Sequence, residues 1–304
     1  MADGQQLEAG AHHGPVVIEA DGHQVIDCAA CGFRHIANLP SAADLKRLYE
    51  EEFYQSEKDT YIVDAGADYA WKQIEMRERL DRAAEKLPSG SRRVLDIGCG
   101  PGDFLAVAKE LGWDGVGVEP SPVAAKHASS RGLNVTCGFF GPESADQFGA
   151  FDFIHMSEVL EHIPNPLEIL DAAVGLLKPG GVLCVSVPND FNPLQGAAVK
   201  SAGTKSWWVM PKHHLNYFSF ASLEAMFEGA GLDVLGRSTN FPMELFLLMG
   251  KDYTKDPTLG KELHGLRKQL DINLAGNGLY GSFYDTLAAS GFGRLAIVYG
   301  QKKS

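Results

Sequence analysis

The 304-residue sequence has few cysteines, few prolines and no excess of positive charge. Five cysteines and 15 prolines are too few for a disulfide-stapled or a proline-rich disordered chain. The cysteine usage is typical of a reducing compartment, so we expect a cytoplasmic protein. Lys and Arg number 27 against 39 Asp and Glu, and the net charge of −12 disfavours nucleic acid and anionic lipid as partners.

Long hydrophobic runs are also missing. None approaches the roughly 18 apolar residues that a membrane span requires, and the polar opening is unlike a signal peptide. We therefore expect neither a membrane nor a nucleic-acid partner. At 45% hydrophobic and 22% charged residues, the composition is that of a folded globular protein.

Apolar strand-like runs alternate with amphipathic helical stretches over most of the chain. The predicted strands are 93–97, 115–118, 133–136, 151–156, 182–187, 232–237 and 295–299. The predicted helices are 41–54, 69–87, 104–111, 122–130, 166–177, 223–230 and 261–270. Such alternation predicts an α/β fold whose parallel sheet has helices on both faces.

A glycine-rich turn joins the first strong strand to a helix. Gly98, Gly100 and Gly102 follow Asp96 at every second position, and glycines let a backbone approach a ligand closely. The third glycine comes one residue too early for a dinucleotide fingerprint, which disfavours an NAD-linked dehydrogenase. The charge of Asp96 would favour an ammonium or sulfonium ligand, and Glu119 stands at the interval typical of a ribose-binding acid. The sequence therefore predicts a site for a cation-bearing nucleoside.

These segments, together with FDFIHMSEVLEH (151–162) and LLKPGGVLCVSVPND (176–190), resemble the motifs of class I S-adenosylmethionine-dependent methyltransferases. The resemblance is strong over 70–240 and implies a Rossmann-like seven-stranded sheet closed by the hairpin pair 232–237 and 295–299. SEVLEHIPNP and HHLNYFSFASLEAMFEGAGL most resemble bacterial small-molecule enzymes. These include ubiquinone-biosynthesis O-methyltransferases and sugar methyltransferases of surface-polysaccharide clusters.

The resemblance implies S-adenosylmethionine as cofactor and assigns residues to it. The residues assigned are Asp96, Gly98, Gly100, Gly102, Glu119, Pro120, Phe139, Ser157 and Glu158. Asp96 and the glycines would line the methionine part, and Glu119 would hold the ribose. Pro120 and Phe139 would flank the adenine, while Ser157 and Glu158 would face the reactive end. Many relatives carry an acid near 138–139 for the adenine amino group, and none is present here.

The segment WWVMPKHHLNYFS (207–219) carries the candidate catalytic residue. His214 has the pKa range of a general base near neutrality, although a purely structural role for it is equally compatible with the sequence. A rival hypothesis makes Glu158, Glu161 and His162 ligands of a divalent metal together with His214, as in ubiquinone-type relatives. Relatives that need no metal share part of this motif, and the sequence favours the metal-free version.

A second group of metal-binding residue types lies near the start of the chain. His23, Cys28, Cys31 and His35 offer two sulfur and two nitrogen ligands around a predicted pair of short strands, a set that suits tetrahedral zinc. The turn from Cys28 to Gly32, called the knuckle below, is similar to a Cys-x-x-Cys-Gly turn in some polysaccharide-cluster methyltransferases. The second cysteine pair that is usual in those proteins is absent here. A reduced hairpin without metal is the equally weighted alternative.

The expected organisation is a Cys/His knuckle and helical module over 1–68 and a methyltransferase domain over 69–304. Within the latter, 238–294 forms an insert that roofs the acceptor pocket, covers a homodimer face or adds to the core. We expect methyl transfer to a small acceptor, first a sugar or nucleotide-sugar hydroxyl or carbon. The alternatives are a phenol or quinone O-methyltransferase with a divalent metal, and a non-catalytic nucleoside-binding regulator.

Overall fold

The computed structural model describes residues 12–40, 68–90 and 92–303, and the predicted helix over 41–54 lies outside these ranges. The strands are β1 (Val16–Ala20), β2 (His23–Asp27), β3 (Arg34–Ile36), β4 (Arg93–Ile97), β5 (Asp114–Glu119), β6 (Asn134–Cys137), β7 (Phe151–Ser157), β8 (Leu177–Pro188), β9 (Asn216–Tyr217), β10 (Leu232–Ser238) and β11 (Leu295–Lys302). The α-helices are α1 (Tyr69–Lys86), α2 (Asp103–Glu110), α3 (Pro122–Ser130), α4 (Pro142–Ala145), α5 (Pro166–Leu176), α6 (Pro193–Ala202), α7 (Phe220–Gly229), α8 (Glu244–Leu248), α9 (Pro257–Gly276) and α10 (Tyr280–Ala289).

The main sheet has seven strands in the order β10-β11-β8-β7-β4-β5-β6. Strands β8, β7, β4, β5 and β6 are parallel, and β11 pairs antiparallel with both β8 and β10. The predicted fold class, including the antiparallel closing pair, is confirmed. Because the carboxyl ends of parallel strands meet at one edge, the segments after β4, β5, β6 and β7 come together there.

Helices cover both faces of this sheet because alternate strand residues are apolar on each side. Leu95 and Ile97 of β4 enter one core, which α5 and α7 cover. Val94 of the same strand enters the opposite core, against Leu80 of α1 and Phe104 of α2. The sheet is therefore buried on both faces, and its polar functional residues concentrate at strand ends.

A second, four-stranded sheet has the order β1-β2-β3-β9. Its first three strands come from the N-terminal region, while β9 lies within the candidate catalytic segment 207–219, two residues after His214. Val25, Ile36, Leu215 and Tyr217 share one small core between them. The N-terminal sheet is thus completed by residues from beyond the predicted boundary at 68/69, and it is attached directly to the segment that carries His214.

The segment between β10 and β11 folds into helices α8, α9 and α10. Its aromatic residues form a separate core with Ile74 of α1, around Tyr284 and Phe246. The indole Nε1 of Trp71 donates a hydrogen bond to Asp271 at 2.8 Å, which fixes α9 against α1. A roof over the acceptor pocket and a homodimer face remain predictions for 238–294. No helix in the described ranges has the length and hydropathy needed to cross a membrane.

Candidate functional site

The turn after β4 requires glycine at two positions. Gly98 and Gly102 have φ angles of 73° and 84°, in the left-handed region that glycine adopts without steric cost. A Cβ on Gly98 would come within 2.5 Å of Val159, and one on Gly102 within 2.5 Å of Leu133. The backbone of the turn is therefore packed against its neighbours, and Gly100, with φ of 52°, lies between them.

Glu119, the last residue of β5, holds this turn. One oxygen of its carboxylate accepts a hydrogen bond from the backbone N–H of Gly100 at 2.8 Å, and the other accepts from Ser121 at 2.7 Å. Burial raises the pKa of the Glu119 carboxyl above its usual range. A carboxylate has about four acceptor positions, so two backbone donors leave room for the two hydroxyls of a ribose. The residues present thus fit the nucleoside that the sequence predicts.

Asp96 belongs to a buried polar network that sequence analysis did not reveal. Its carboxylate lies 2.7 Å from Nδ1 of His155 on β7, and Nε2 of His155 lies 2.8 Å from Arg79 on α1. Arg79 can only donate, so Nε2 accepts and the Nδ1–H of a neutral His155 donates to Asp96. The ring of Phe104 stacks on His155 with centroids 3.9 Å apart. Burial lowers the pKa of His155, which agrees with a neutral ring.

Arg79 extends this network along the edge of the sheet. It forms an ion pair with Glu75 one turn earlier on α1 and donates hydrogen bonds to Ser157 at 3.1 Å and Ser186 at 3.2 Å. A buried guanidinium with several acceptors orients the ends of β7 and β8. Through His155, Arg79 also fixes the rotamer of Asp96.

The other predicted cofactor residues lie along the same edge. Ser157 ends β7 and contacts Arg79, while Glu158 follows it, exposed, with a left-handed φ of 56°. Pro120 is half-buried directly after β5, and Phe139 follows β6 with 47% of its surface exposed. All nine predicted positions thus lie at the end of the sheet where its parallel strands finish.

His214 lies in a group of metal-ligating side chains with Glu161 and His162, whose ligand atoms are all within 4.8 Å of one another. Glu158, the fourth residue of the metal hypothesis, is not in this group. His162 donates a hydrogen bond through Nδ1 to the carbonyl of His213 at 2.7 Å, which leaves Nε2 toward the group. The backbone N–H of Leu215 donates to the carbonyl of Glu161 at 2.7 Å, so the two segments are joined.

Burial shapes the ionisation of this group. It raises the pKa of Glu161 well above its usual range, with the nearby Glu158 adding to the shift. Burial, with the charges of His162 and His213, lowers the pKa of His214 to about 4. His214 is therefore neutral at pH 7, the form in which imidazole binds metals, but it is a weak acceptor for a hydroxyl proton. This weakens the hypothesis that His214 is the general base.

A buried carboxyl, that of Asp190, follows the end of β8 and lies near Glu161, whose pKa its charge helps to raise. Asp190 Oδ2, Asn240 Oδ1 and Glu244 Oε2 have no hydrogen-bond partner among the described residues. Burial raises the pKa of Asp190 to about 7, and the carboxyl of Glu244 adds to the shift. Unpaired buried acceptor oxygens are costly, and the side chain of Gln195 lies beside the carboxyls of both Asp190 and Glu244.

The N-terminal knuckle differs from its predicted composition. Cys28, Cys31 and His35 come together as expected, but the fourth member is His12, and His23 is outside the group. His23 begins β2, whereas Cys28 follows the end of that five-residue strand, so the length of the strand separates them. The metal-ligand assignment of His23 is therefore replaced by His12.

Comparisons with known proteins agree with this geometry. Residues 70–236 match the family described as a methyltransferase domain. A ubiquinone biosynthesis O-methyltransferase from Xanthomonas axonopodis pv. citri (strain 306) is 32% identical over 197 residues, covering 60% of this chain and 82% of that protein. One from Xanthomonas oryzae pv. oryzae (strain PXO99A) is 34% identical over the same length.

Solved structures show the same fold. A SAM-dependent methyltransferase from Archaeoglobus fulgidus superposes with a TM-score of 0.51 at 19% identity, covering 80% of this chain and all of that one. The plantazolicin methyltransferase BpumL in complex with SAH gives a TM-score of 0.52 at 14% identity, covering 86% and 96% of the two chains. These likenesses concern the fold.

The fold and the strand-end site define a class I methyltransferase. The chain belongs to the methyltransferase-domain family, and it is an enzyme that uses S-adenosylmethionine. The predicted family, enzyme class and cofactor are confirmed, and the readings as a dehydrogenase or a non-catalytic regulator are not supported.

Proposed function

We propose that this enzyme transfers the methyl group of S-adenosylmethionine to a hydroxyl oxygen of a small molecule, with a divalent cation held by Glu161, His162 and His214. The observation that carries the proposal is the convergence of these three side chains within 4.8 Å. The preferred acceptor is a phenol-type ring hydroxyl, for which a catechol serves as the test substrate, because the similar Xanthomonas proteins are ubiquinone biosynthesis O-methyltransferases.

Orphaned polar atoms support a cation in this group. Glu161 Oε2 and His214 Nδ1 are both buried and have no hydrogen-bond partner among the described residues. A buried carboxyl and a buried imidazole nitrogen without partners each cost free energy. An oxygen and two imidazole nitrogens form a donor set that suits Mn²⁺, Fe²⁺ or Zn²⁺ and is compatible with Mg²⁺.

The chain's own residues position the two substrates. When bound, a divalent cation lowers the pKa of a hydroxyl that coordinates it. Glu119 and the glycine turn hold the nucleoside, while Asp96, oriented by His155, presents negative charge at the methionine end. The acceptor hydroxyl releases its proton to solvent, and its oxygen bonds to the methyl carbon in line as the carbon–sulfur bond breaks and the neutral thioether leaves. Alignment of the two substrates alone supplies about 7–11 kcal/mol of rate enhancement.

The test compares Glu161→Gln with Glu143→Gln, which removes an exposed acid from α4. Gln mimics the protonated carboxyl that burial favours at Glu161, so the fold should be retained. We expect chelation to abolish transfer to a catechol in the wild-type enzyme and Mn²⁺ or Mg²⁺ to restore it. Glu161→Gln should lose most of the cation-dependent rate while binding S-adenosylhomocysteine normally by calorimetry.

Full activity of Glu161→Gln in the presence of chelator would refute the role of the cation. In that case, His214→Ala decides whether His214 acts as the base of a metal-free reaction. Glu143→Gln should behave as the wild type in every assay.

A sugar or nucleotide-sugar hydroxyl is the second candidate acceptor. The observation that favours it is the pair of buried acceptor oxygens on the neighbouring carboxyls of Asp190 and Glu244, which would accept hydrogen bonds from the hydroxyls of a sugar. A labelled-methyl assay with nucleotide sugars in one arm and catechols in the other separates the two. Methylation at carbon, a cytoplasmic location, a homodimer and the absence of nucleic-acid partners remain predictions.

A further inference from the structure

Four ligand atoms converge on one point of the N-terminal knuckle. Nδ1 of His12 lies 3.2 Å from Sγ of Cys31, 3.8 Å from Sγ of Cys28 and 3.2 Å from Nε2 of His35. All four ligand atoms lie within 4.8 Å of one another. Cys28 and His35 are buried, while His12 and Cys31 are half-buried.

These separations are those of the corners of a tetrahedron around zinc. Zn–N bonds of about 2.0–2.1 Å and Zn–S bonds of about 2.3 Å place nitrogen corners roughly 3.3 Å apart and nitrogen and sulfur corners roughly 3.6 Å apart. The nitrogen pair measures 3.2 Å, and the two nitrogen–sulfur pairs measure 3.2 and 3.8 Å. Each lies within about 0.4 Å of the tetrahedral value.

Hydrogen bonds alone do not account for the arrangement. An imidazole nitrogen has one in-plane position, either a lone pair or a hydrogen, so Nδ1 of His12 pairs with one neighbour at a time. Three groups stand around it, and a central cation is bound by all four atoms at once. We propose that His12, Cys28, Cys31 and His35 bind a structural Zn²⁺ ion.

The surrounding backbone holds the ligands in place. Nδ1 of His35 donates a hydrogen bond to the carbonyl of Ile36 at 2.8 Å, which leaves its Nε2 as the ligand atom. The N–H of Ala29 donates to the carbonyl of His13 at 2.9 Å, beside His12. Gly14 lies so close to the end of β2 that a Cβ there would overlap the carbonyl of Asp27. The segment before β1 is therefore fixed against the knuckle.

The zinc site is linked to the candidate active site through β9. His35 on β3 is paired with Asn216 on β9, and the amide of Asn216 donates to the carbonyls of Leu160 and Ile163 at 2.9 and 2.6 Å. These carbonyls flank Glu161 and His162. With four protein ligands the ion has no open position, so it stabilises the sheet that supports the active site and takes no part in the reaction.

The test uses the full-length protein and a matched pair of histidine variants. Protein purified without chelator is washed by gel filtration, and zinc is measured by mass spectrometry in the Glu161→Gln background, which disables the other candidate site. We expect about one equivalent of zinc. His12→Ala should lose zinc at least tenfold faster to a colorimetric chelator, whereas His23→Ala should release it at the parental rate.

Two further variants keep the test decisive if His12→Ala folds poorly. His12→Cys preserves a zinc ligand and should retain the metal, while Cys137→Ser removes an exposed cysteine elsewhere and should change nothing. Substitution with Co²⁺ should give the intense visible absorption of tetrahedral thiolate coordination. Less than a tenth of an equivalent of zinc in the parental protein, or equal zinc retention by His12→Ala and the parent, overturns the proposal.

Discussion

Replacement of His155 by Phe tests the buried network that orients Asp96. The phenyl ring keeps the stacking on Phe104 but removes the hydrogen bonds to Asp96 at 2.7 Å and from Arg79 at 2.8 Å. A hydrogen bond to a charged group contributes about 1.5–3 kcal/mol, so two of them contribute about 3–6 kcal/mol. The more apolar ring regains about 1 kcal/mol. We expect a net loss of about 3 kcal/mol in the free energy of unfolding at pH 7.5.

The pH dependence gives this prediction a second readout. Burial lowers the pKa of His155 in the folded state. Below pH ~6.5, this imidazole is therefore protonated in the unfolded chain but remains neutral in the folded chain. Wild-type stability from this group is therefore present above pH ~6.5 and is lost as the pH falls. Phe at this position has no such loss, so the difference between variant and wild type should shrink at pH 5.5.

Urea unfolding followed by tryptophan fluorescence measures both effects, with His127→Gln on α3 as the control. The control should stay within about 0.5 kcal/mol of the wild type. A His155→Phe enzyme as stable as the wild type at pH 7.5, or with the same pH slope, would refute the reasoning.

The same variant should also affect ligand binding. Because Asp96 loses the hydrogen bond from His155, S-adenosylhomocysteine should bind about tenfold more weakly, which corresponds to about 1.4 kcal/mol.

Two further predictions concern the strand-end turn and the acceptor pocket. Gly102→Ala should lower the free energy of unfolding in urea by about 1–2 kcal/mol, because its φ is 84° and the new Cβ would contact Leu133. Gly175→Ala in α5 adds a Cβ that contacts nothing, so it should raise the free energy of unfolding by about 0.5–1 kcal/mol. Asp190→Asn should be more stable than the wild type at pH 8 by about 2–4 kcal/mol and equally stable at pH 4. The wild-type carboxyl, with its pKa raised to about 7, loses stability as the pH rises from about 4 to 7, and thermal unfolding at both pH values measures the difference. An unchanged pH profile in Asp190→Asn, or equal stability of the two glycine variants, would contradict these expectations.

The main sheet could be predicted because its signals are local. Buried strands such as Leu177–Pro188 contain a long apolar run that follows a glycine pair, and the predicted bounds of α3 match the observed ones. Helix α6 was missed, although Asn192 and Pro193 mark its start with an N-cap and a proline at the first position. Those two residues indicate the helix from the sequence alone.

The parts that sequence analysis missed depend on contacts between distant residues. β9 pairs with β3, and no periodicity within either short strand indicates that partner. His12 reaches the knuckle because β1 and β2 fold back as a hairpin, which brings it closer than the sequence neighbour His23. Arg79 was hidden within an amphipathic helix, and only the register of β4 and β7 shows that Asp96 faces His155.

Calorimetric titration of the purified enzyme with S-adenosylhomocysteine tests the central assignment most directly. Glu119→Ala removes the carboxylate that braces the glycine turn and fits the ribose hydroxyls, whereas Glu143→Ala removes an exposed acid. We expect saturable binding by the wild type and by Glu143→Ala, and at least tenfold weaker binding by Glu119→Ala, a loss of about 1.4 kcal/mol or more. Equal affinity in all three proteins, or no binding by the wild type at millimolar ligand, would contradict the placement of the cofactor at the ends of β4 and β5.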